Sequence, residues 1–243
     1  MAGESEIDPR FSGRTVIVAG AAGHLGKAVA KAFAAHDANL VLLNRGRDRL
    51  TATFGRETDR MLFAAADLLN VEETQRAVDK AVERFGHIDV LCNITGGFRS
   101  GEPVHETTDE TLDFVFDVNV RTLVHAVRSV VPHMLSRASG KIVNVAAFAA
   151  QKAAARMGAY AASKSAVIRL TEAMAAELRE QGINVNCVLP TIIDTPDNRA
   201  AMPKADPARW VAPDDLANVI VFLASDDARA IHGAAIPVTG LAG

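Results

Sequence analysis

The fold of this chain is decided by residues 15–26, which read Thr-Val-Ile-Val-Ala-Gly-Ala-Ala-Gly-His-Leu-Gly. The first five residues predict a buried strand, and the apolar positions Ala28, Val29 and Phe33 predict a helix after the turn. Glycines at such a turn let the backbone approach a pyrophosphate, whose charge is met by the helix N-terminus. In this context we predict a dinucleotide-binding loop rather than a turn that is glycine-rich only for tight packing. Its contacts are expected from Gly20, Ala22, Gly23, His24, Leu25 and Gly26.

Short apolar runs alternate with helical patterns along the rest of the chain. Strands are predicted at Thr15–Ala19, Asn39–Leu43, Met61–Ala66, Ile88–Asn93, Lys141–Val145, Ile183–Val188 and Ala234–Val238. Amphipathic helices are predicted at Glu72–Phe85, Thr111–Leu135, Ala159–Glu180 and Pro213–Ala224. Continuously apolar strands indicate a parallel sheet that is covered on both faces. The sequence therefore predicts a doubly wound Rossmann-type α/β fold, with a seven-stranded, mostly parallel sheet and helices on both faces.

The chain shows no linker that would divide this fold. We predict a polar N-terminal tail at residues 1–11 and a single domain at residues 12–243. One long irregular segment, residues 191–212, carries three prolines and follows a predicted strand. A loop of this length in a compact domain is usually a lid or a binding element, so we expect it to contact substrate.

Composition and charge exclude several classes of protein. The formal net charge is −3, and 26 Lys and Arg are interspersed with 29 Asp and Glu, so a basic footprint for nucleic acid is absent. No run approaches the ~18 apolar residues of a membrane span. Met1 to Arg10 is polar and unlike a signal peptide, so we expect a cytoplasmic protein. Cys92 and Cys187 lie in apolar runs, which favours core packing, and no metal site is predicted.

Tyr160 and Lys164 are the first candidates for chemistry. They stand four positions apart in a predicted helix, so the phenol and the ammonium lie on one face. A nearby ammonium favours the phenolate, which lowers the tyrosine pKa toward neutral pH and makes Tyr160 a candidate acid/base. The alternative is a tyrosine followed one turn later by a solvated lysine.

The end of the second strand predicts which nicotinamide cofactor is bound. An NAD-selective site usually carries Asp or Glu there to bind the ribose 2′-hydroxyl. This chain has Asn44 followed by Arg45, and a guanidinium suits a 2′-phosphate, so NADP(H) is favoured over NAD(H). The alternative is that Arg45, Arg47 and Arg49 are only solvated charges at a helix start, which fits the latter two better.

Four further segments complete a recognisable order. Asp67-Leu68 follows the third strand, Asn93-Ile94-Thr95-Gly96 ends the fourth, Asp117-Val118-Asn119-Val120 lies in a helix, and Pro190-Thr191-Ile192-Ile193-Asp194-Thr195 follows the sixth. With the glycine loop, Tyr160 and Lys164, they resemble the motifs of the short-chain dehydrogenase/reductase family from about Ser12 to Gly240. The family's TGxxxGxG has Ala19 for its threonine and His24 for its middle glycine. His24 is expected to bond to a phosphate or to cap the helix.

The resemblance implies a role for each of these residues. Asp67 and Leu68 would contact adenine, and Asn93 would stabilise the central strand and border the cofactor. Asn119 would hold a proton-relay water near Lys164, which binds the nicotinamide ribose beside the catalytic Tyr160. Ile193 and Thr195, after Pro190, would meet the nicotinamide amide.

The main departure from the family is at Ala147. The family places a serine after the fifth strand, thirteen residues before the tyrosine, and this chain has Ala146-Ala147 there. That serine normally donates a hydrogen bond to the substrate oxygen. Three explanations remain open: Gln151 supplies another donor, Tyr160 acts alone on a reactive carbonyl, or the chain binds a nucleotide without turnover.

The resemblance implies an NADP(H)-dependent oxidoreductase acting on a carbonyl or secondary alcohol, with Tyr160 as acid/base. Small-molecule substrates are expected to contact residues 97–99, 151–157 and 191–212. Arg99, Lys152 and Arg156 are candidates there for binding an anion, and solvated surface roles are the equal alternative. The family pairs two long helices between subunits, which implies a homodimer or homotetramer. The alternatives are a nucleotide-binding protein with weak or no turnover, and a non-redox enzyme that uses the same tyrosine.

Overall fold

The computed structural model describes residues 10–242. Its strands are β1 (Thr15–Ala19), β2 (Asn39–Asn44), β3 (Met61–Ala65), β4 (Val90–Asn93), β5 (Gly140–Val145), β6 (Ile183–Pro190) and β7 (Ala235–Val238). They form one sheet in the order β3-β2-β1-β4-β5-β6-β7, and every pairing between neighbours is parallel. The predicted doubly wound α/β fold with seven strands is confirmed, and the strand ends differ from the prediction by at most two residues.

Eight α-helices connect and cover these strands in the described part of the chain. They are α1 (His24–Ala35), α2 (Arg47–Phe54), α3 (Val71–Phe85), α4 (Asp109–Phe116), α5 (Thr122–Leu135), α6 (Gly158–Leu178), α7 (Pro196–Ala201) and α8 (Pro213–Ala224). The prediction of one helix over Thr111–Leu135 is wrong, because a π-helical turn at Asp117–Arg121 separates α4 from α5. Such turns occur mostly as single insertions, frequently at functional sites.

The sheet buries a hydrophobic core on each face. Ile17 and Val41 face a core that is closed by α3, α5 and α6, while Val16 and Leu40 face one that is closed by α1 and α8. Because side chains alternate along a strand, coverage of both faces makes the strands apolar throughout. Phe11 belongs to the second core and packs edge-on against Phe33 with ring centroids 4.9 Å apart. Packing therefore begins one residue earlier than the predicted start at Ser12, and residues 1–9 of the predicted tail lie outside the described residues.

The segment 191–212 is more ordered than an irregular loop. It contains α7, a short 3₁₀ turn at Pro207–Arg209 and a parallel bridge between Ile193 and Val211. Trp210 is 7% exposed and therefore packs against the domain instead of reaching over the site.

The sheet order locates a crevice. β1 pairs with β2 on one side and with β4 on the other, so the direction of the strand order reverses between β1 and β4. In open parallel sheets, ligands bind outside the carboxyl ends of the strands at such a point. No helix of the described residues combines the length and apolar character needed to cross a membrane.

Candidate active site

The loop between β1 and α1 requires two of its glycines. Gly20 has a φ of +87°, and a Cβ there would lie 2.8 Å from the backbone nitrogen of Thr95. A Cβ on Gly26 would lie 2.2 Å from the Gly20 carbonyl oxygen, so α1 packs against the loop only with glycine at this position. Gly23 is the N-cap of α1, and no side chain caps that end. The first N–H groups of the helix lack partners within it and are available to an anion.

His24 connects the glycine loop with the segment 191–212. Its Nδ1 lies 3.9 Å from Asp197 Oδ2, and both side chains are exposed. Asp197 belongs to α7, so this short helix lies beside the start of α1. Ala22 and Leu25 lie between and beside these glycines, and Leu25 is buried in the core instead of facing the crevice.

Arg45 and Arg47, which follow β2, differ in their contacts. In the amide orientation that satisfies both of its side-chain atoms, Asn44 accepts from the N–H groups of Arg45 at 3.2 Å and Gly46 at 3.3 Å. Arg47 is committed, because its Nη2 lies 2.6 Å from Glu57 Oε2 and its Nη1 donates to the Phe63 carbonyl. Arg45 is exposed and makes no ion pair with any described residue. The structure thus separates Arg45 from Arg47, as the sequence argument expected.

Asp67 and Leu68 shape the turn after β3. Asp67 Oδ1 accepts from the Leu69 N–H at 2.9 Å, and the Asp67 N–H donates to Glu73 Oε2 at 2.9 Å. The Leu68 carbonyl lies 2.7 Å from His125 Nδ1 on α5. The backbone of this turn is therefore held from two helices at the edge of the crevice.

A chain of buried hydrogen bonds links β4 through β5 to α6. Asn93 Nδ2 donates to Asn144 Oδ1 at 2.8 Å, and Asn144 Nδ2 donates to Thr171 Oγ1 at 2.9 Å. Thr171 Oγ1 in turn donates to the Val167 carbonyl at 2.8 Å. Because all three polar side chains are buried, this network fixes the strand ends relative to the helix that carries Tyr160.

Asn119 lies in the π-helical turn and is 2% exposed. Its Oδ1 accepts from the Gly97 N–H at 3.0 Å, while its Nδ2 donates to the Gly97 carbonyl at 3.0 Å and to Ser163 Oγ at 3.1 Å. A Cβ on Gly96 would lie 3.0 Å from Asn119 Oδ1 and 3.1 Å from Lys164 Nζ. Asn119 and Lys164 therefore converge on Gly96, although they are far apart in sequence.

Tyr160 and Lys164 lie on α6 in different environments. Lys164 is 5% exposed, its Nζ donates to the Val145 carbonyl at 2.9 Å, and burial lowers its pKa to about 8. Burial raises the pKa of Tyr160 to about 12. The prediction that Lys164 lowers the pKa of Tyr160 is wrong for the protein by itself, because loss of water around the phenolate is the dominant effect.

Ala147 follows β5 with an extended backbone, φ −160° and ψ 152°, and is 6% exposed. It precedes the 3₁₀ turn Phe148–Ala150, and Gln151 after that turn is exposed without a side-chain hydrogen bond to any described residue. The structure therefore gives Gln151 no contact that would aim its amide at Tyr160.

The segment after β6 contains the residues that were predicted to lie at the nicotinamide end of the crevice. Pro190 ends the strand opposite Val238. Ile193 accepts from Asn198 Nδ2 through its carbonyl at 2.8 Å, and Thr195 caps α7 by accepting from the Asn198 N–H at 3.2 Å. Asn198 thus holds the two residues that were predicted to meet the nicotinamide.

Two contacts of Ser163 were not predicted from the sequence, and two of the cations considered for anion binding have partners within the chain. Ser163, which accepts from Asn119 and donates to the Tyr160 carbonyl at 2.8 Å, gives no sequence signal beyond its place next to Lys164. Arg99 lies 3.1 Å from Glu110, and Arg156 donates to the Gly101 carbonyl at 2.9 Å, so both candidates for anion binding are already engaged. The described residues contain no cluster of three or more His, Cys, Asp or Glu that is suited to a metal.

The same arrangement occurs in a known family. The profile of the short chain dehydrogenases matches residues 14–206, which is most of the chain. The chain belongs to the short-chain dehydrogenase/reductase family. The predicted family membership is thus confirmed. The match covers the glycine loop, Asn119, Tyr160 and Lys164, so the motifs lie inside the matched region.

Curated relatives within this family resemble the chain over almost its whole length. Dehydrogenase/reductase SDR family member 6 of Danio rerio is 31% identical over 246 residues, covering 95% of this chain and 98% of the relative. (+)-Borneol dehydrogenase 2 of Salvia officinalis is 33% identical over 257 residues, covering 95% of this chain and 89% of the relative.

Solved structures of family members match the fold as closely. An NAD⁺-bound xylitol dehydrogenase has a TM-score of 0.86 at 27% identity, over 95% of this chain and 99% of that one. ElxO with NADP bound has a TM-score of 0.86 at 25% identity, over 94% of this chain and 98% of that one. These neighbours include both forms of the nicotinamide cofactor, so the fold by itself does not select between them.

Proposed function

We propose that this chain is an NADP(H)-dependent oxidoreductase that interconverts a carbonyl compound and a secondary alcohol, with Tyr160 as its acid/base. The observation that carries the proposal is that Asn119 and the buried Lys164 converge on Gly96, while Tyr160, one turn before Lys164 on α6, contacts Phe98 of the same turn. The test is a screen for NADPH oxidation over ketones, 3-oxoacyl thioesters and sugars. Tight NADPH binding without turnover of any of these classes would contradict it.

The residues of the crevice fit a dinucleotide. The uncapped start of α1 and the close approach at Gly20 and Gly26 suit a pyrophosphate. Asp67 and Leu68 would border the adenine and Asn93 the middle of the site, while Pro190, Ile193 and Thr195 would lie along the nicotinamide end. When bound, the reduced nicotinamide supplies the hydride.

Tyr160 supplies the proton. At neutral pH the raised pKa of Tyr160 keeps its hydroxyl protonated, which is the form that reduction requires. As hydride adds to the carbonyl carbon, the Tyr160 hydroxyl donates its proton to the carbonyl oxygen, and the ketone becomes an alcohol. Lys164 would hold the nicotinamide ribose when the cofactor is bound and would help to restore the proton to Tyr160. Asn119 supports this relay and holds Gly97.

Ala147 makes Tyr160 the main donor to the substrate oxygen. Ala147 occupies the position at which the family's serine would donate a second hydrogen bond. Loss of one such donor costs about 10²–10³ in rate in enzymes where this has been measured. We therefore propose a slow reductase, or one that acts on an intrinsically reactive carbonyl.

Arg45 is expected to set the preference for NADP(H). Replacing Arg45 by Ala should weaken NADPH binding by about 10- to 100-fold, since hydrogen bonds to charged groups contribute about 1.5–3 kcal/mol. NADH binding should change little, because NADH carries no 2′-phosphate. Titration calorimetry with both cofactors measures the effect.

Arg49→Ala is the matched control for Arg45→Ala, since Arg49 is also exposed and makes no ion pair with a described residue. Equal loss of NADPH binding in both variants would mean that a diffuse positive field is responsible. Equal loss of NADPH and NADH binding in Arg45→Ala would contradict recognition of the 2′-phosphate.

Two proposals concern the protein as a whole. The resemblance supports a homodimer or homotetramer that pairs the α4–α5 segment and α6 between subunits. The exposed apolar side chains Leu112 and Leu135, at 41% and 42%, support association along that segment. We also propose a cytoplasmic location.

The second candidate function is nucleotide binding without turnover. Ala147 is the observation that favours it, because the family's second donor is missing while the fold and crevice are kept. The substitution Ala147→Ser separates the two functions.

A further inference from the structure

We propose that the substrate is a neutral, apolar ketone or secondary alcohol whose ring or chain packs on Phe98 beside Tyr160. This inference rests on the proposed oxidoreductase function and narrows it to a substrate class. The observation behind it is the exposed ring of Phe98 against Tyr160, with the exposed side chains of Val104 and Phe114 on neighbouring elements; these three side chains are called the apolar rim.

Phe98 lies directly against the reactive tyrosine. The two rings meet edge to face with centroids 4.8 Å apart, yet Phe98 is 60% exposed. An aromatic side chain that touches the acid/base while keeping most of its surface in water leaves apolar area for a substrate to cover. A substrate carbonyl beside the Tyr160 hydroxyl would place its substituents over this ring.

The position of Phe98 is fixed by its neighbour Gly97. Asn119 bonds to both the N–H and the carbonyl of Gly97 at 3.0 Å. A Cβ on Gly97 would lie 2.9 Å from Val118 Cγ1 and 3.1 Å from Phe114 Cζ, so the turn is pressed closely against α4. Asn119 therefore holds Phe98 at the mouth of the site, in addition to its predicted part in the proton relay.

The rest of the rim is also apolar. Val104 is 74% exposed, and a Cβ on Gly158 would lie 2.6 Å from Val104 Cγ2, which places Val104 on the first turn of the helix that carries Tyr160. Phe114 is 37% exposed on the other side of Gly97. Phe98 thus touches Tyr160, while Val104 lies against the start of α6 and Phe114 against the turn that carries Phe98.

One of the three cations near this rim is paired with a carboxylate. The Arg99 guanidinium lies 3.1 Å from Glu110 and 4.3 Å from the Phe114 ring centroid. Arg156 donates to the Gly101 carbonyl, which holds its side chain but leaves its charge. Lys152 is exposed and has no ion pair with a described residue, so Lys152 and Arg156 are the remaining candidates for an anionic substrate. A test must therefore set a carboxylate against an apolar group.

The test compares two ketones of equal ring size with NADPH: methylcyclohexanone and oxocyclohexanecarboxylate, each substituted opposite its carbonyl. The carbonyl groups of the two ketones are alike, so a difference in kcat/KM between them measures whether the rim prefers the methyl group or the carboxylate. We expect the methyl ketone to be preferred at least about tenfold, a modest effect for an apolar pocket. Phe98→Ala should lose about tenfold for the methyl ketone, mainly in KM, and lose less for the carboxylate, so that the preference between the two ketones narrows.

Phe222→Ala is the matched control, because Phe222 is 41% exposed on α8, across the sheet from α6, and should leave both ketones unaffected. Preference for the carboxylate with activity that still depends on Tyr160 overturns this inference and leaves the proposed function standing. No NADPH oxidation with either ketone overturns both. If Phe98→Ala splits an oligomer during sedimentation, a second copy of the chain covers the rim and the inference is wrong.

Discussion

Tyr160→Phe is expected to bind NADPH as tightly as the wild type and to reduce its best ketone about 10²–10⁴-fold more slowly. The substitution removes one hydroxyl that has no hydrogen-bond partner among the described residues, so the fold should be kept. In the proposed mechanism, the proton and the main hydrogen bond to the carbonyl both come from Tyr160, since the side chain of Ala147 has no donor. The loss of rate should therefore fall near the upper end of this range, and it should be a decrease in kcat.

Ser136→Ala provides the control for Tyr160→Phe. Ser136 is exposed at the end of α5 and donates only to the His133 carbonyl, so the change deletes a hydroxyl far from the crevice. Stopped-flow measurement of single-turnover NADPH oxidation separates chemistry from product release. A Tyr160→Phe enzyme that keeps the wild-type rate in a single turnover would remove Tyr160 from the mechanism.

Ala147→Ser is expected to increase kcat by at least about tenfold, as part of the 10²–10³ that such a donor contributes in other enzymes. The backbone of Ala147 is extended, a conformation that serine adopts readily, and the change adds one heavy atom. Ala147 is buried, so the added hydroxyl would be shielded from bulk water. Steady-state rates with a fixed ketone and saturating NADPH measure the gain.

Two comparisons make the Ala147→Ser result decisive. Ala150→Ser adds the same hydroxyl in the adjoining 3₁₀ turn and should not raise the rate. The gain must also vanish when Ala147→Ser is combined with Tyr160→Phe, since both groups act on one oxygen. An unchanged rate in Ala147→Ser would favour a different donor or a nucleotide-binding protein without turnover.

The strands and most helices were predictable because their signals are local. Continuous apolar runs such as Val16–Ala19 report burial on both faces, and that burial is what the two cores show. The π-helical turn was not predictable, because it coincides with contacts between Asn119, Gly97 and Ser163 that exist only in the folded chain. The burial of Phe11 against Phe33 is likewise a long-range contact.

The residues of the candidate site are a prediction from the sequence, whereas their environments depend on the fold. Spacing placed Tyr160 and Lys164 on one helix face, but the pKa of each depends on how deeply the fold buries it. Arg47 differs from Arg45 because its guanidinium pairs with Glu57, and this pair requires Glu57 to be nearby in space. The contact of Phe98 with Tyr160 likewise joins residues far apart in sequence.

The most direct test of Tyr160 as the acid/base uses the fact that it is the only tyrosine in the chain. Near-ultraviolet absorbance of tyrosinate therefore reports the ionisation of Tyr160 alone. Without cofactor, Tyr160 should stay un-ionised through about pH 10, where free tyrosine is half ionised, because burial raises its pKa to about 12. With saturating NADP⁺, the positive charge of the nicotinamide ring should lower the midpoint of the Tyr160 titration by at least about one pH unit. Identical titration curves with and without NADP⁺ would contradict the account.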